Sequence, residues 1–186
     1  MGDIEDCDGE CRGRVEKWIT SFIDVPGQIS IVVYLRGCSL KCEDCQNCAL
    51  QDGAEGGTVY RAAELADLLN TRKLPDWVCF QGGEPLDQSN FVQAVIARLH
   101  PHFRVAIYTG YIKRVVVNRH QNLLDMPRVL MLKAGQFMKR KRIYDKFLAT
   151  TNQELFVKRA ADRRWERIAW FAGDGGRLSE IFADLT

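Results

Sequence analysis

Three cysteines lie close together in the first third of the chain. Three residues separate Cys38 from Cys42, and two separate Cys42 from Cys45. This spacing places three thiols on one short loop that can curl around a metal centre. Three thiolates leave one iron of a [4Fe-4S] cluster open, whereas four close the cluster for electron transfer. An open iron can bind a substrate directly, so the count of three favours catalysis.

A further cysteine allows a second interpretation. Cys48 forms a C-x2-C pair with Cys45, a spacing typical of structural zinc sites. Such a site could use four of the cysteines between 38 and 48, or two of these together with Cys7 and Cys11. Spacing alone does not decide between the two metals. A zinc-binding interaction module without catalysis is therefore the alternative function.

A glycine-rich motif follows a predicted strand further along the chain. Gly82 and Gly83 would let the backbone approach a ligand closely, and Glu84 offers a carboxylate to an ammonium group. Taken alone, the motif is typical of a strand-to-helix loop, with Pro85 in the first helical turn and Asp87 or Ser89 as the cap. The cysteine loop and the glycine motif each follow a predicted strand, and this shared placement favours a single site to which both contribute.

The elements that must position these residues alternate along the chain. Short apolar runs predict strands at 29–35, 77–81, 104–108 and 128–132, with further candidates at 154–157 and 167–171. Helical periodicity predicts helices around 62–69, 92–99, 112–124 and 178–185. Strands that alternate with helices predict a parallel sheet, and the loops at the carboxyl ends of its strands gather into one crevice.

The length of the chain limits the architecture. A complete eight-stranded βα barrel takes about 250 residues, and this chain has 186. We therefore expect one α/β domain, built as a partial, open barrel of parallel βα units; a doubly wound open sheet is the alternative. Residues 1–14 lack hydrophobic periodicity and are expected to form a mobile lead-in, with the domain spanning 15–186.

Composition narrows the functional classes. The chain is 46% apolar and carries a net charge of +2, which gives no general affinity for nucleic acid or membranes. It has no apolar stretch long enough to cross a bilayer, and its acidic beginning is unlike a signal peptide, so we expect a cytoplasmic protein. An odd number of cysteines, seven, with four crowded together, favours metal binding in a reducing compartment over disulfides.

The remaining cysteines and a basic run are expected to lie outside the predicted metal site. Cys79 lies inside an apolar run and is expected to be a small buried hydrophobic residue. Cys7 and Cys11 are expected to be exposed free thiols. The basic run at residues 139–142 is expected to be a solvated loop, or else a docking surface for an acidic partner or electron donor.

Together, the cysteine loop and the glycine motif resemble the radical S-adenosylmethionine (SAM) superfamily, and within it the activases of glycyl-radical enzymes. The resemblance is carried by Arg36 to Asn47 and by Gly82 to Pro85, and it is closest to activases of the anaerobic (class III) ribonucleotide reductase. Segments 22–27, 108–111 and 150–153 are also similar to motifs of that family. The resemblance thus covers roughly residues 18–157.

The resemblance implies a site and a reaction. It implies a [4Fe-4S] cluster on Cys38, Cys42 and Cys45, and SAM contacts from Asp44, Gln46, Asn47, Gly82, Gly83, Glu84 and Thr109. A flavodoxin or ferredoxin would supply an electron, SAM would yield a 5′-deoxyadenosyl radical, and that radical would take a hydrogen atom from a glycine of the partner reductase. A different glycyl-radical enzyme, or a small molecule as in deazaguanine-forming enzymes, is the alternative substrate.

The sequence also departs from the family pattern. Asp44 and Gln46 differ from the residues usual in the cysteine loop, and Val25 and Ser30 differ from the usual glycine and arginine. These differences concern the predicted contacts with SAM rather than the three cysteines.

Overall fold

The computed structural model describes residues 11–144, 147–159 and 162–168. These residues form eight strands and three α-helices, with short 3-10 helices between them. The strands are β1 (Arg12–Ser21), β2 (Ser30–Leu35), β3 (Thr58–Arg61), β4 (Trp77–Gly82), β5 (Arg104–Thr109), β6 (Val129–Ala134), β7 (Glu154–Lys158) and β8 (Trp165–Ile168). The helices are α1 (Ala62–Asn70), α2 (Ser89–Arg98) and α3 (Lys113–Asp125).

All eight strands belong to one mixed sheet in the order β3-β1-β2-β4-β5-β6-β7-β8. The four central strands, β2, β4, β5 and β6, are parallel to one another. Both edges are antiparallel: β1 pairs with β2 and β3 on one side, and β7 pairs with β6 and β8 on the other. The predicted α/β class is confirmed, and the predicted parallel pairing holds for the centre of the sheet but not for its edges.

The last residues of the predicted mobile lead-in belong to strand β1. It begins at Arg12, so residues 12–14 belong to the sheet, where they pair with β3. Sequence patterning did not predict β1 because only a few of its side chains are buried; Val15 is one of them. Its pairing partner β3 also begins more than forty residues further along the chain. The free thiol expected at Cys11 is also wrong, since Cys11 is disulfide-bonded.

The two faces of the sheet are covered differently. Buried side chains of α1, α2 and α3 pack with Ile31, Val33 and Phe80 on one face. The other face carries Val32, Trp77 and fully buried Cys79, and no helix of the described residues contributes to its buried cluster. A doubly wound sheet has helices on both faces. Over the described part of the chain, the helices therefore cover one face of the sheet, which differs from the doubly wound alternative.

The central elements lie where hydrophobic periodicity places them. Strands β2, β4, β5, β6 and β7 and the three helices agree with the predicted ranges to within about three residues, the largest difference being the start of α2. Strand β8 begins at Trp165, two residues before the predicted start. The helix predicted at 178–185 lies outside the described residues. No α-helix within the described ranges has the length and apolar character needed to span a bilayer.

Candidate functional site

A cavity opens beyond the carboxyl ends of the parallel strands. The loops after β2, β4, β5 and β6 all contribute to its wall. Of the ten predicted site residues, nine line it: Cys38, Cys42, Cys45, Gln46, Asn47, Gly82, Gly83, Glu84 and Thr109. The tertiary fold thus brings together residues that are up to 71 positions apart in the sequence.

Asp44 is the one predicted site residue that does not line the cavity. Its backbone has a positive φ of 53°, and its carboxylate lies 3.0 Å from Nζ of Lys139 on the neighbouring surface. This geometry does not place the Asp44 side chain among the groups that line the cavity.

The two glycines join the cysteine loop to the end of β4. A Cβ atom on Gly83 would lie 2.1 Å from the carbonyl oxygen of Gly37, which leaves no space for a side chain. The Gly83 amide donates to Leu35 O and the Glu84 amide donates to Gly37 O, each at 2.8 Å. Gly82 has a φ of +112°, a conformation that glycine adopts without strain. These glycines therefore fix one loop against the other.

The three spaced cysteines are partly buried free thiols in the same cavity. Burial raises the pKa of Cys38 and of Cys42, and the neighbouring cysteines add to the effect at Cys42. A bound metal reverses this tendency, because a coordinating thiol is deprotonated. Cys48 is exposed at the start of a 3-10 helix and does not line the cavity. The cavity therefore collects three cysteines and leaves the fourth outside it.

The possible metal ligands of the described residues do not converge on a single point. Over residues 11–144, 147–159 and 162–168, no three His, Cys, Asp or Glu side chains converge closely enough to hold a metal ion. A four-iron cluster does not require its ligands to meet at one atom, because each thiolate binds a separate iron. Three thiols around one cavity fit that donor set.

Side-chain amides hold the cysteine loop from within. Asn47 donates from Nδ2 to Gly82 O at 3.1 Å, so it connects the loop to the end of β4. Gln51 donates from Nε2 to Cys42 O at 3.2 Å. Asn47 thus has a structural contact of its own, whatever ligand the cavity takes.

A second contact, which sequence analysis missed, joins three residues that follow the cavity-lining Cys38, Glu84 and Gly110 in the chain; we describe it as the rim of the cavity. The Asp87 carboxylate accepts hydrogen bonds from the amide and the hydroxyl of Ser39, at 2.6 and 2.8 Å. The Tyr111 hydroxyl donates to the same carboxylate at 3.1 Å. The sequence offered Asp87 only as one of two possible caps, with Ser89, if the motif were an ordinary loop. Its partners lie on two other loops, so sequence spacing could not identify them. We call Ser39, Asp87 and Tyr111 the rim clamp.

Glu84 is the most deeply buried acid of the site, with 1% of its surface exposed. Its Oε1 accepts from the Leu86 amide at 2.9 Å and from the Thr109 hydroxyl at 2.8 Å, and its Oε2 accepts from the Gly110 amide at 2.8 Å. Burial outweighs these bonds and raises the pKa of Glu84 to about 7. The carboxylate ties β4 to β5, and Oε2 has one acceptor position left for a ligand.

Lys133, which sequence analysis did not select, places a cation in the wall of the cavity. Its Nζ donates to Phe147 O at 3.0 Å and lies 4.8 Å from the centre of the Tyr108 ring. Burial lowers the pKa of Lys133 to about 8. Lys133 is two positions from Met131 in β6, so strand parity places both on the face of the sheet that has no helices among the described residues, which we call the inner face. That parity is the signal that could have found it.

Below Lys133, polar residues connect the β1–β2 loop to the cavity wall. The Asp24 carboxylate accepts from Gln81 Nε2 at 2.7 Å and from the Ser21 hydroxyl at 2.5 Å. The Tyr108 hydroxyl donates to the carbonyl oxygen of Asp24. Gln81 and Tyr108 both line the cavity, so this loop supports the site from the inner face of the sheet.

Comparison with protein families gives one match. The model of a family described as a 4Fe-4S single cluster domain matches residues 23–156. The matched stretch contains the three cysteines and every residue that lines the cavity. No curated protein matches the chain at a significant level.

Proposed function

Since the chain belongs to the 4Fe-4S single cluster domain family, we propose that it is a radical SAM enzyme that activates a glycyl-radical enzyme. One [4Fe-4S] cluster would be held by Cys38, Cys42 and Cys45. The observation that carries the proposal is their position: three free thiols share a cavity with the Gly82–Glu84 segment, while Cys48 lies outside it. Three protein ligands leave an iron available to a substrate.

The cavity offers groups of suitable chemistry for SAM. The free acceptor position on Glu84 Oε2 suits the ammonium group of the methionine part. Thr109 holds Glu84 in place through its hydroxyl. An ammonium bound there would keep Glu84 ionised, against the effect of burial on its pKa. Gln46 and Asn47 line the same cavity and could contact other parts of SAM.

The proposed reaction consumes one electron and one SAM molecule. A bound, reduced cluster would supply the electron that breaks a carbon–sulfur bond of SAM, giving methionine and a 5′-deoxyadenosyl radical. That radical would take a hydrogen atom from the Cα of a glycine in the partner, leaving 5′-deoxyadenosine and a glycyl radical. We propose class III ribonucleotide reductase as the partner and a flavodoxin or ferredoxin as the electron donor.

The arrangement of the sheet supports a macromolecular substrate. In the described part of the chain, helices cover only one face, so the inner face has no helical cover near the cavity. We interpret this one-sided sheet as the partial βα barrel that the sequence predicts. A barrel left open on one side can admit a loop of a large partner, much as clefts admit smaller ligands.

The deciding experiment measures SAM cleavage. The full chain is reconstituted anaerobically with iron and sulfide, reduced with dithionite and mixed with SAM, and 5′-deoxyadenosine is quantified. We expect product from the wild type and none from Cys42→Ala, which lacks one cluster ligand. A fully loaded, reduced wild-type protein that forms no 5′-deoxyadenosine would rule out the radical SAM proposal and would favour electron transfer.

A second measurement identifies the substrate. Class III ribonucleotide reductase is added to the reduced protein with SAM, and the organic radical is recorded by electron paramagnetic resonance. We expect a glycyl-radical signal that requires both proteins and is absent with Cys42→Ala. Abundant 5′-deoxyadenosine without that signal would contradict the reductase as partner and would favour another glycyl-radical enzyme or a small-molecule substrate.

A further inference from the structure

A second groove lies on the exposed, outer side of the cysteine loop. It is lined by residues 40–44 of that loop and by residues 136–140, which follow β6. Cys42 lines this groove and also the inner cavity. Phe137 likewise lines both spaces. Of the three cluster cysteines, Cys42 is therefore the one that separates the cavity from this outer surface.

Five exposed cations surround the groove: Lys41, Lys139, Arg140, Lys141 and Arg142. We call these residues the basic surface. Two exposed carboxylates, Glu43 and Asp44, lie among them, and Asp44 pairs with Lys139. Within the described ranges, Lys41, Arg140 and Lys141 form no ion pair. Because the whole chain has a net charge of only +2, this is a local excess of positive charge.

We infer that the basic surface is the docking site for an acidic one-electron donor protein. The inference rests on the cluster proposed at Cys38, Cys42 and Cys45, and it does not require that SAM be the substrate. An electron must enter where a cluster ligand is close to solvent, and Cys42 meets that condition. Exposed cations around such an entry point attract a partner with carboxylates around its own redox centre and raise the rate of encounter.

The position of the surface leaves the other face of the site available. The groove shares Leu40, Cys42 and Phe137 with the inner cavity. The groups that could hold a substrate, Gly82, Glu84, Thr109 and Lys133, line the cavity alone. An electron donor on the basic surface would therefore not occupy the cavity where the substrate binds. The donor and the substrate would approach the cluster from different sides.

The test compares two double variants of the full, cluster-loaded chain. Arg140→Gln with Lys141→Gln removes two cations of the basic surface, and neither residue lines the inner cavity. Lys73→Gln with Arg119→Gln removes two exposed cations from the α1–β4 connection and from α3. Excess dithionite first shows by complete bleaching that each protein carries a reducible cluster. The bleaching rate with reduced flavodoxin, a highly acidic donor, is then followed by stopped flow at low ionic strength.

We expect flavodoxin to reduce the Arg140 and Lys141 double variant about tenfold more slowly than the wild type, because its encounter rate depends on charge. The difference should shrink at high salt, where such forces are screened. Calorimetry with oxidised flavodoxin should show weaker binding to this variant, independently of electron transfer. The control variant should match the wild type in both measurements.

Three results would overturn the inference. Equal rates and equal binding in the wild type and the Arg140 and Lys141 double variant would show that the basic surface takes no part in docking. An equal loss in the control variant would indicate only a general effect of net charge. A short single-stranded RNA that binds through Arg140 and Lys141, with unchanged flavodoxin reduction, would identify a nucleic-acid surface. None of these results depends on SAM cleavage, so they are separate from failure of the proposed function.

Discussion

Glu84 combines burial, three protein hydrogen bonds and one free acceptor position. Its pKa of about 7 means that the folded protein binds a proton more tightly at this site than the unfolded chain, where the value is 4.5. Between these two values, folding takes up protons. The contribution of Glu84 to stability is therefore present below pH 4.5 and is lost as the pH rises through 7.

The first prediction follows from this difference. In cluster-free protein, the free energy of unfolding should contain a decrease of about 3 kcal/mol from pH 4.5 to 7 that Glu84→Gln removes, since one pKa unit corresponds to about 1.4 kcal/mol. Urea unfolding at several pH values measures it. The control is Glu64→Gln, because hydrogen bonds from Arg61 lower the pKa of Glu64 instead. If Glu84→Gln kept the full decrease, another group would be responsible.

The second prediction distinguishes the four clustered cysteines. Cys48→Ala should retain the iron and sulfide content of the wild type, because Cys48 is exposed and lies outside the cavity. Cys42→Ala should lose most of the cluster, since Cys42 lines the cavity. Iron and sulfide analysis after anaerobic reconstitution, together with the visible absorbance, measures both. Equal loss in the two variants would instead indicate a site that uses Cys48.

Three loops at the carboxyl ends of different strands must hold their positions together. Glu84 connects the end of β4 to the end of β5, and the Gly83 and Glu84 amides connect β4 to the cysteine loop after β2. The rim clamp joins the same three loops at the surface, because Ser39, Asp87 and Tyr111 follow β2, β4 and β5, respectively. Ser39 directly follows Cys38, so the clamp acts on the backbone beside a cluster ligand.

The third prediction concerns this connection between elements. Asp87→Ala removes the acceptor of three hydrogen bonds and should release iron to a chelator severalfold faster than the wild type. The loss of global stability should be small, about 1 kcal/mol for exposed hydrogen bonds. Asp67→Ala, an exposed aspartate in α1, is the matched control. Anaerobic chelation kinetics measure the effect, and a release rate equal to that of the control would show that the clamp does not hold the cluster loop.

At the scale of the whole molecule, the central parallel strands carry the site and the antiparallel edges complete the sheet. β1 covers the edge of β2 over residues 15–21, and it brings Val15 into the same buried cluster as the three helices. Asp24, in the loop after β1, supports Gln81 below the cavity. The first strand is therefore part of the domain and contributes to the support of the site.

The fourth prediction tests that role. Val15 is 1% exposed, so Val15→Ala should lower the free energy of unfolding by about 2 kcal/mol through the loss of buried methyl groups. Thr20→Ala, at an exposed position of the same strand, should change it by less than about 0.5 kcal/mol. Denaturant unfolding of the two variants measures the difference. Similar effects at both positions would contradict the packing of β1 against the core.

Local pattern in the sequence predicted the central strands and the three helices, because each buries a continuous apolar run or a regular apolar face. It also selected the three cysteines and the glycine motif, whose spacing and backbone requirements are local properties. Strand β1 was different, since few of its side chains are buried and much of its stabilisation comes from pairing with distant residues.

Only the tertiary structure decided which side chains meet. The rim clamp, the tie between Glu84 and Gly110, and the buried position of Lys133 all join residues from separate strands or loops. It also turned Asp44 towards Lys139 and left Cys48 outside the cavity. The sequence determined the types of groups available for a cluster and for SAM. Their distances and exposure depended on how β2, β4, β5 and β6 align in the sheet, which spacing along the chain does not encode.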